Sequence, residues 1–234
     1  MTITLVTGAN KGIGLETARR LLSEGHHVWV GSRDPDRGAA AVERLGEGAR
    51  SVRLDVTDDR SVSAAVETIR LRDGRLDVLV NNAGIADNTL GAHDVDPERA
   101  RQLFDANVVG VVRTTQAALP LLSASSNPVV VNVSSGLGSF AATADPGRPE
   151  SQTPLITYAA SKAAVNMLTV KYAASLPAFR VNAACPGLTA TDFAAGFPGA
   201  QPVEEAVGVI VRLATLGPDG PTGTIHENDG PGAW

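Results

Sequence analysis

Several features of secreted, membrane-bound or nucleic-acid-binding proteins are missing from this sequence or scarce in it. The 234-residue chain has one cysteine, Cys185, so it cannot form an internal disulfide, which is compatible with a reducing compartment. It has no uninterrupted apolar run near the roughly 18 residues of a membrane span. There is no block of lysines or arginines, and the net charge of −5 argues against a nucleic-acid-binding surface. We therefore expect a soluble, cytoplasmic protein without nucleic-acid or membrane partners.

Short apolar runs alternate with longer stretches of helical periodicity along the whole chain. The composition, 43% hydrophobic and 19% charged, is sufficient for a large core. The first run, around Leu5, has no basic segment before it and predicts a strand rather than a signal peptide. The predicted strands are Ile3–Thr7, His27–Gly31, Arg50–Leu54, Asp77–Asn81, Pro128–Ser134, Arg180–Cys185 and, weakly, Gly223–His226. The predicted helices are Gly12–Glu24, Asp36–Leu45, Asp58–Leu71, Asp96–Leu122, Thr157–Leu176 and Pro202–Leu216.

This alternation predicts one α/β domain over residues 1–234. The strand candidates are continuous Val, Leu and Ile runs, as expected where both faces of a sheet are buried. We therefore predict a Rossmann-type, doubly wound parallel sheet of about seven strands, with helices on both faces. Asp96 followed by Pro97 is typical of a helix start, and Gly25 is typical of a helix end.

A glycine-rich segment, Thr7-Gly8-Ala9-Asn10-Lys11-Gly12-Ile13-Gly14, joins the first predicted strand to the first predicted helix. Glycines let the backbone turn sharply and approach a pyrophosphate, and the helix N-terminus favours the negative charge. A purely structural turn is the alternative. The position between a strand and a helix of a βαβ unit favours a dinucleotide site.

The Gly-x3-Gly-x-Gly spacing of this segment resembles that of the short-chain dehydrogenase/reductase family. Asn81-Asn82-Ala83-Gly84, after the fourth predicted strand, strengthens the resemblance. The resemblance implies that Asp55 contacts adenine, although a helix-capping or loop aspartate is the alternative for this residue. The cofactor-binding residues that it implies are Gly8, Asn10, Lys11, Gly12, Ile13, Gly14, Asp55, Val56, Asn82, Ala83, Gly84, Pro186, Gly187 and Thr189, with the nicotinamide carboxamide at Thr189.

The end of the second predicted strand indicates which nicotinamide cofactor binds. An acidic residue there would bind the ribose 2′-hydroxyl and repel a 2′-phosphate, but this sequence has Ser32 followed by Arg33. Lys11 in the glycine loop is a second cation, and Arg37 is a possible third. Asp34 adds a negative charge that would disfavour a phosphate. For each of the three basic residues, the alternative interpretation is a solvated charge on the protein surface. The combination favours NADP(H) over NAD(H).

Tyr158 and Lys162 are four residues apart in a predicted helix, so both side chains lie on one face. An ammonium stabilises a phenolate, and we therefore expect Lys162 to lower the pKa of Tyr158 toward the working range. Such a pair on its own is commonly a surface pair. Together with the glycine loop, its spacing is that of the family.

The family resemblance implies a catalytic set of Asn107, Ser135, Tyr158 and Lys162. Ser135 ends the fifth predicted strand and would donate a hydrogen bond to the substrate oxygen, with Ser134 as the alternative. Tyr158 would supply the proton, and Lys162 would also hold the nicotinamide ribose. Asn107 would hold a water that links the lysine to solvent, and it has a second interpretation as a stabiliser of a helix kink.

Two segments are expected to shape the substrate side of the site. Residues 136–157, an insertion relative to compact family members, precede the Tyr158 helix, and residues 188–202 are expected to form a substrate loop. Cys185 is interpreted as a small buried residue rather than a nucleophile. No metal site is predicted.

Phe140, Phe193 and Phe197 are candidates for an apolar pocket or for local packing. The insertion, the Asn10-to-Gly14 string, the Ser32-Arg33-Asp34 turn, Cys185-Pro186-Gly187 and Trp234 resemble the carbonyl reductase branch.

The sequence thus predicts NADPH-dependent reduction of an aldehyde or ketone. An alcohol dehydrogenase acting mainly in the oxidative direction and a non-catalytic NADP(H) sensor are the alternatives.

The resemblance also bears on assembly. Compact members of the family pair two helices across two-fold axes, and these helices correspond to the ones that contain Asn107 and Tyr158 here. We expect the insertion to cover the apolar face of these helices, which favours a monomer over a dimer. The residues expected on that face are Val108, Val111, Val112, Ala163, Val165 and Leu168.

Overall fold

The computed structural model describes residues 1–86, 91–191 and 199–234. The strands are β1 (Thr2–Thr7), β2 (His26–Ser32), β3 (Ala49–Arg53), β4 (Val78–Asn81), β5 (Val129–Val133), β6 (Arg180–Ala184), β7 (Ile225–Glu227) and β8 (Gly230–Pro231). The α-helices are α1 (Gly12–Ser23), α2 (Pro35–Leu45), α3 (Asp59–Asp73), α4 (Pro97–Phe104), α5 (Gly110–Leu122), α6 (Phe140–Ala144), α7 (Ile156–Ser175), α8 (Val203–Ala206) and α9 (Gly208–Ala214). Short 3₁₀ segments lie at Ala92–Asp94, Gly136–Gly138 and Pro149–Gln152.

The strands form one sheet in the order β3-β2-β1-β4-β5-β6-β7-β8. Neighbouring strands are parallel except for the β7–β8 pair, which is antiparallel. Alternate residues of the central strands pack into two clusters, one with α1, α2 and α9 and the other with α3, α5 and α7. The predicted α/β fold, doubly wound with helices on both faces, is confirmed.

The structure differs from the predicted elements in four places. β8 was not predicted, because a strand of two residues is too short to show an apolar run. The predicted helix Asp96–Leu122 contains a turn of π-helix at Asp105–Val109, and the predicted helix Pro202–Leu216 is divided at Val207 into α8 and α9. The insertion includes the short helix α6.

Local chemistry explains where the helices begin and end. The carboxylate of Asp96 accepts a hydrogen bond from the backbone N–H of Glu98, and Pro97 is the first residue of α4, as predicted. Asp34 and Asp58 cap α2 and α3 in the same way. Gly25 follows α1 with a φ of 81°, a conformation that favours glycine.

A row of buried polar side chains connects the centre of the sheet to α5 and α7. Asn81 Nδ2 donates to Asn132 Oδ1 over 2.9 Å, and Asn132 Nδ2 donates to Thr169 Oγ1 on α7 over 2.9 Å. Asn81 Oδ1 accepts a hydrogen bond from Thr114 on α5. Because each buried amide has partners, the row orients both helices on the sheet without leaving an unsatisfied polar group.

The apolar face on which two chains were expected to pair is only partly exposed on the surface. Val111 and Val165 are buried within the chain, so these two residues of the predicted face are not on the surface. Val109 is 41% exposed and Met167 is 58% exposed. Arg148 of the insertion contacts Glu227 on β7 rather than either of these two side chains.

In the described parts of the chain, no helix is both long and apolar enough to cross a membrane.

The packing of β1 and α1 on β4 leads to a prediction about Gly14. An added Cβ there would lie 2.5 Å from Asn82 Nδ2 and 2.6 Å from the Gly8 carbonyl oxygen. Gly14→Ala should therefore lower the free energy of unfolding by about 1–3 kcal/mol, measured by urea denaturation. Gly208→Ala is the matched control, since nothing lies within 4 Å of its added Cβ, and it should be neutral or stabilise by up to about 1 kcal/mol. Equal stabilities of the two variants would contradict the close packing.

Candidate active site

The glycine-rich turn after β1 is held against the segment after β4. Thr7 Oγ1 accepts hydrogen bonds from the backbone N–H groups of Asn82 and Ala83, at 3.0 Å and 2.9 Å. Asn82 Nδ2 donates to the carbonyl oxygens of Thr7 and Gly8. The two sequence motifs, which are far apart in the chain, are thus in direct contact.

The same turn fits the pyrophosphate of a dinucleotide. Gly8 has a φ of 64°, and its added Cβ would lie 2.9 Å from Ala83 Cα, so a side chain there would be strained and crowded. Gly12 has a φ of 55°, which favours glycine, and an added Cβ there would be in ordinary van der Waals contact with a Thr191 methyl carbon at 3.5 Å. Within the described residues, no side-chain capping hydrogen bond is formed at the N-terminus of α1. The first N–H groups of this helix can therefore face an anion.

The end of β2 brings polar and basic groups near the glycine loop. Ser32 is buried and donates from Oγ to the Asp34 carbonyl oxygen, whereas Arg33 is exposed. The Asp34 carboxylate accepts from the N–H groups of Asp36 and Arg37, and it lies 3.4 Å from Arg37 Nε. Asp34 and Arg37 therefore contact each other, in addition to their roles in α2.

Arg44 is a further cation that sequence reasoning missed. Its Nη2 donates to the carbonyl oxygen of Asn10 at 3.5 Å, so α2 places a guanidinium beside the glycine loop. Arg44 lies seven residues after Arg37 on α2, which is two helical turns and therefore the same helix face. Helical periodicity could have identified it once the start of α2 was known.

Asp55 lies after β3 in a turn closed by its own carboxylate. Its Oδ1 accepts from both the N–H and the Oγ1 of Thr57. The helix-capping interpretation of Asp55 is wrong, because Asp58 caps α3, and the loop interpretation agrees with these bonds. Val56 is buried against Gly110, whose added Cβ would lie 3.0 Å from Val56 Cβ.

α7 presents Tyr158 and Lys162 to the end of β5. Lys162 is only 6% exposed, and its Nζ donates to the Val133 carbonyl oxygen over 2.9 Å. The same Nζ lies 5.5 Å from the centroid of the Tyr158 ring. The four-residue spacing therefore produces the predicted proximity of ammonium and phenol.

The two serines at the end of β5 have different partners. Ser134 is buried, and its Oγ donates to Asn166 Oδ1 over 2.6 Å. Ser135 forms a side-chain hydrogen bond with Tyr158, and its Oγ also accepts from the Leu137 N–H. The residue that faces the tyrosine is thus Ser135, and its neighbour Ser134 is part of the packing between β5 and α7.

Asn166 is a second residue that sequence reasoning missed. Besides binding Ser134, it donates from Nδ2 to the Gly138 carbonyl oxygen over 3.0 Å. It lies four residues after Lys162 and eight after Tyr158, on the same face of α7. It therefore holds the chain on both sides of Ser135.

Asn107 lies in the π-helical turn and is buried. Its Oδ1 accepts from the Ile85 N–H, and its Nδ2 donates to the Ile85 carbonyl oxygen and to Ser161 Oγ. A π-helical turn is frequently found at functional sites. The side chain satisfies the backbone after β4 and touches the residue that precedes Lys162, so both interpretations of Asn107 are compatible with its position.

Burial controls the ionisation of the site. Burial raises the pKa of Tyr158, although the hydrogen bond from Ser135 opposes this shift, and burial lowers the pKa of Lys162 to about 8. The expectation that Lys162 lowers the pKa of Tyr158 toward the working range is therefore wrong, because the pKa of Tyr158 is raised and burial of the phenol is the largest cause. Cys185 is buried beside them, as predicted, and burial raises its pKa to about 12.

The turn after β6 is held by Gln201, which lies in the segment predicted to be a substrate loop. Gly187 has a φ of 74°, and Gln201 Nε2 donates to the Pro186 carbonyl oxygen over 2.5 Å. Thr189 is buried, and its Oγ1 donates to the Gly187 carbonyl oxygen.

Three phenylalanines were predicted to line an apolar pocket or to pack locally. Phe140 on α6 is 78% exposed. Phe193 and Phe197 lie outside the described residues. In the described ranges, no group of three or more His, Cys, Asp and Glu side chains is arranged to hold a metal ion.

Comparison with known proteins gives a consistent result. A family profile described as short chain dehydrogenase matches residues 2–201. A short-chain dehydrogenase/reductase of Stachybotrys chlorohalonatus is 36% identical, with 98% of this chain and 89% of that protein covered. Salutaridine reductase of Papaver bracteatum is 30% identical, with 97% and 94% covered. The crystal structure of an NADPH-bound carbonyl reductase from chicken fatty liver superposes with a TM-score of 0.88 at 27% identity, covering 100% of both chains.

The burial of Lys162 predicts a pH dependence of stability. Between its folded pKa of about 8 and the ordinary value of 10.5, the unfolded chain binds more protons than the folded chain. As pH rises through this range, the free energy of unfolding should therefore increase, by up to about 1.4 kcal/mol per pH unit from this group. Tyr158 and Cys185, whose pKa values are raised, have the opposite effect above pH 10 and pH 9, their ordinary values.

The measurement is urea denaturation between pH 8 and 9 for the native chain and Lys162→Met. The slope of stability against pH should be smaller in the variant. Lys171→Met, which removes an exposed lysine of the same helix, should keep the native slope. Parallel curves for the native chain and Lys162→Met would show that the ammonium is not desolvated.

Proposed function

Since the chain belongs to the short-chain dehydrogenase/reductase family of oxidoreductases, we propose that it reduces the carbonyl group of a small aldehyde or ketone to an alcohol with NADPH. The observation that carries the proposal is the convergence of Ser135, Tyr158 and Lys162 at the end of β5. The carboxyl edge of a parallel sheet is where ligands bind in folds of this kind.

The three side chains suit complementary tasks in such a reduction. Bound NADPH supplies the hydride that the carbonyl carbon receives. Ser135 donates a hydrogen bond to the carbonyl oxygen and polarises the C=O bond. Tyr158 transfers its hydroxyl proton to the same oxygen as negative charge develops there. The product is the alcohol, and a tyrosinate is left on the enzyme.

The electrostatics of the site support these roles. A raised pKa keeps Tyr158 protonated at neutral pH, as a proton donor requires. Lys162, with a pKa near 8, is mostly charged at neutral pH and stabilises the tyrosinate that forms. Lys162 would also hold the ribose of the cofactor. Asn107, bonded to Ser161, would hold a water through which the proton returns from solvent.

The cofactor preference rests on the charges around the glycine loop. Ser32 cannot repel a 2′-phosphate, and Arg33 follows it on the surface. Lys11 lies in the loop itself, and Arg44 binds the neighbouring Asn10 carbonyl oxygen. Asp34, which follows Arg33, contacts Arg37 and the start of α2. This arrangement favours NADP(H) over NAD(H), and the NADPH of the chicken liver relative agrees with the proposal.

The same site also allows the reverse reaction. The same residues would serve alcohol oxidation with Tyr158 as the base, so a substrate panel should include alcohols with NADP⁺. A monomer stays the prediction for assembly. The exposure of Val109 and Met167 keeps the alternative of a dimer open.

The first prediction from this proposal concerns the proton donor. Tyr158→Phe should lower kcat for aldehyde and ketone reduction by about 10²-fold or more, since the proton is lost, while NADPH affinity stays nearly unchanged. Tyr172→Phe is the matched control, because it removes the other tyrosine hydroxyl of α7, which contacts Gln116. Substantial activity in Tyr158→Phe, or an equal loss in Tyr172→Phe, would refute the assignment.

The second prediction concerns cofactor choice. Arg33→Asp removes a cation and adds a repulsive charge, so the ratio of kcat/KM for NADPH to that for NADH should fall by roughly 10²-fold or more. Arg72→Asp changes an exposed arginine of α3 in the same way and should leave the ratio unchanged. A native enzyme that already prefers NADH would contradict the cofactor proposal.

A further inference from the structure

The insertion is tied to the far edge of the sheet by one arginine. Arg148 Nη2 lies 3.0 Å from Glu150 Oε1 and 2.9 Å from Glu227 Oε1, and its Nε lies 3.1 Å from Glu150 Oε2. Glu150 belongs to the insertion, whereas Glu227 belongs to β7. We call Arg148, Glu150 and Glu227 the insertion bridge.

On one side, the insertion bridge touches the turn that follows Ser135. A Cβ added to Gly136 would lie 2.3 Å from Glu150 Oε1 and 3.1 Å from its carboxyl carbon. The Glu150 carboxylate therefore lies directly over the Gly136 backbone, one residue from the side chain that faces Tyr158. Any movement of Glu150 would change the space beside Ser135.

On the other side, the insertion bridge is joined to the turn at Pro186 and Gly187. Glu227 is the last residue of β7. The backbone carbonyl oxygen of the preceding residue, His226, accepts a hydrogen bond from the Cys185 N–H over 2.8 Å. Cys185 directly precedes Pro186. Arg148 therefore connects the insertion to the strand that supports this turn.

The insertion bridge is less exposed than the pair formed by Arg101 and Glu98 on α4. The Arg148, Glu150 and Glu227 side chains are 37%, 17% and 29% exposed, whereas Arg101 and Glu98 are 72% and 58% exposed. The guanidinium donates to two carboxylates that are far apart in sequence, and a planar fork suits this arrangement. The Arg148 guanidinium also holds the pKa of Glu150 below its usual range, so the contact stays charged at neutral pH.

We propose that the insertion bridge is a positioning device for the substrate, in which Arg148 and Glu227 hold the insertion at a fixed place beside Ser135. The inference rests on the proposed carbonyl reduction. Ser135, Tyr158 and Lys162 are held by their own contacts with β5 and α7, so loss of the bridge leaves the reacting groups in place. It changes the wall against which the substrate is oriented, and the effect therefore falls on KM.

The kinetic test uses Arg148→Met, Glu227→Gln and the double variant at saturating NADPH, with the best carbonyl substrate of the panel. Each single variant should raise KM by roughly tenfold or more, while kcat changes by less than about threefold and NADPH affinity is unchanged. The double variant should be no worse than Arg148→Met alone, since Arg148→Met already removes the contact with Glu227. Arg148→Lys, which retains the charge without the fork, should lie between the native enzyme and Arg148→Met.

Glu98→Gln removes the partner of an exposed arginine and should leave KM unchanged. An unchanged KM in both single variants overturns the proposal. A parallel loss of kcat, NADPH affinity and thermal stability also overturns it, because that pattern indicates general destabilisation.

A second readout is independent of turnover. Hydrogen exchange should accelerate at the amides of Ala141, Thr143 and Ser151 in Arg148→Met and Glu227→Gln, because these insertion amides are hydrogen-bonded in the native fold. Unchanged exchange in both variants would show that the bridge does not hold the insertion. If the native enzyme turns over no carbonyl or alcohol, the proposed function fails, and the exchange data alone then decide whether the bridge holds the insertion.

Discussion

The packing of α7 against the end of β5 is the contact on which the candidate site depends. Lys162 binds the Val133 carbonyl oxygen, and Asn166 binds Ser134 and the Gly138 carbonyl oxygen. A Cβ at Gly138 would lie 2.5 Å from the Lys162 carbonyl carbon, so the chain after the strand lies directly on the helix. This close approach determines the distance between serine, tyrosine and lysine.

The burial that brings these groups together also sets their chemistry. Removing an ammonium and a phenol from water favours the neutral form of each, which explains the opposite directions of the two pKa shifts. A phenol that retains its proton and a lysine poised near neutral pH are compatible with proton donation. The stability cost of the buried lysine is therefore linked to its proposed function.

Buried polar side chains position the helices around this site. The row formed by Asn81, Asn132 and Thr169 joins β4 and β5 to α7, and Asn107 joins the segment after β4 to Ser161. Such amides are tolerated in a core only when their hydrogen bonds are satisfied. Their specific partners allow fewer helix orientations than apolar contacts would.

The sequence by itself determined the α/β class, most of the strand and helix positions, and the contact of Tyr158 with Lys162. Periodicity, capping residues and a four-residue helical spacing are local properties, which is why they can be read without coordinates. The family resemblance implied Ser135 and left Ser134 as the alternative, and only the tertiary structure distinguishes the partners of these two adjacent serines. It also decided the direction of the Tyr158 pKa shift, the roles of Arg44 and Asn166, and the pairing of Arg148 with Glu227. Each of these depends on burial or on contacts between distant segments, and neither leaves a periodic signal in the sequence.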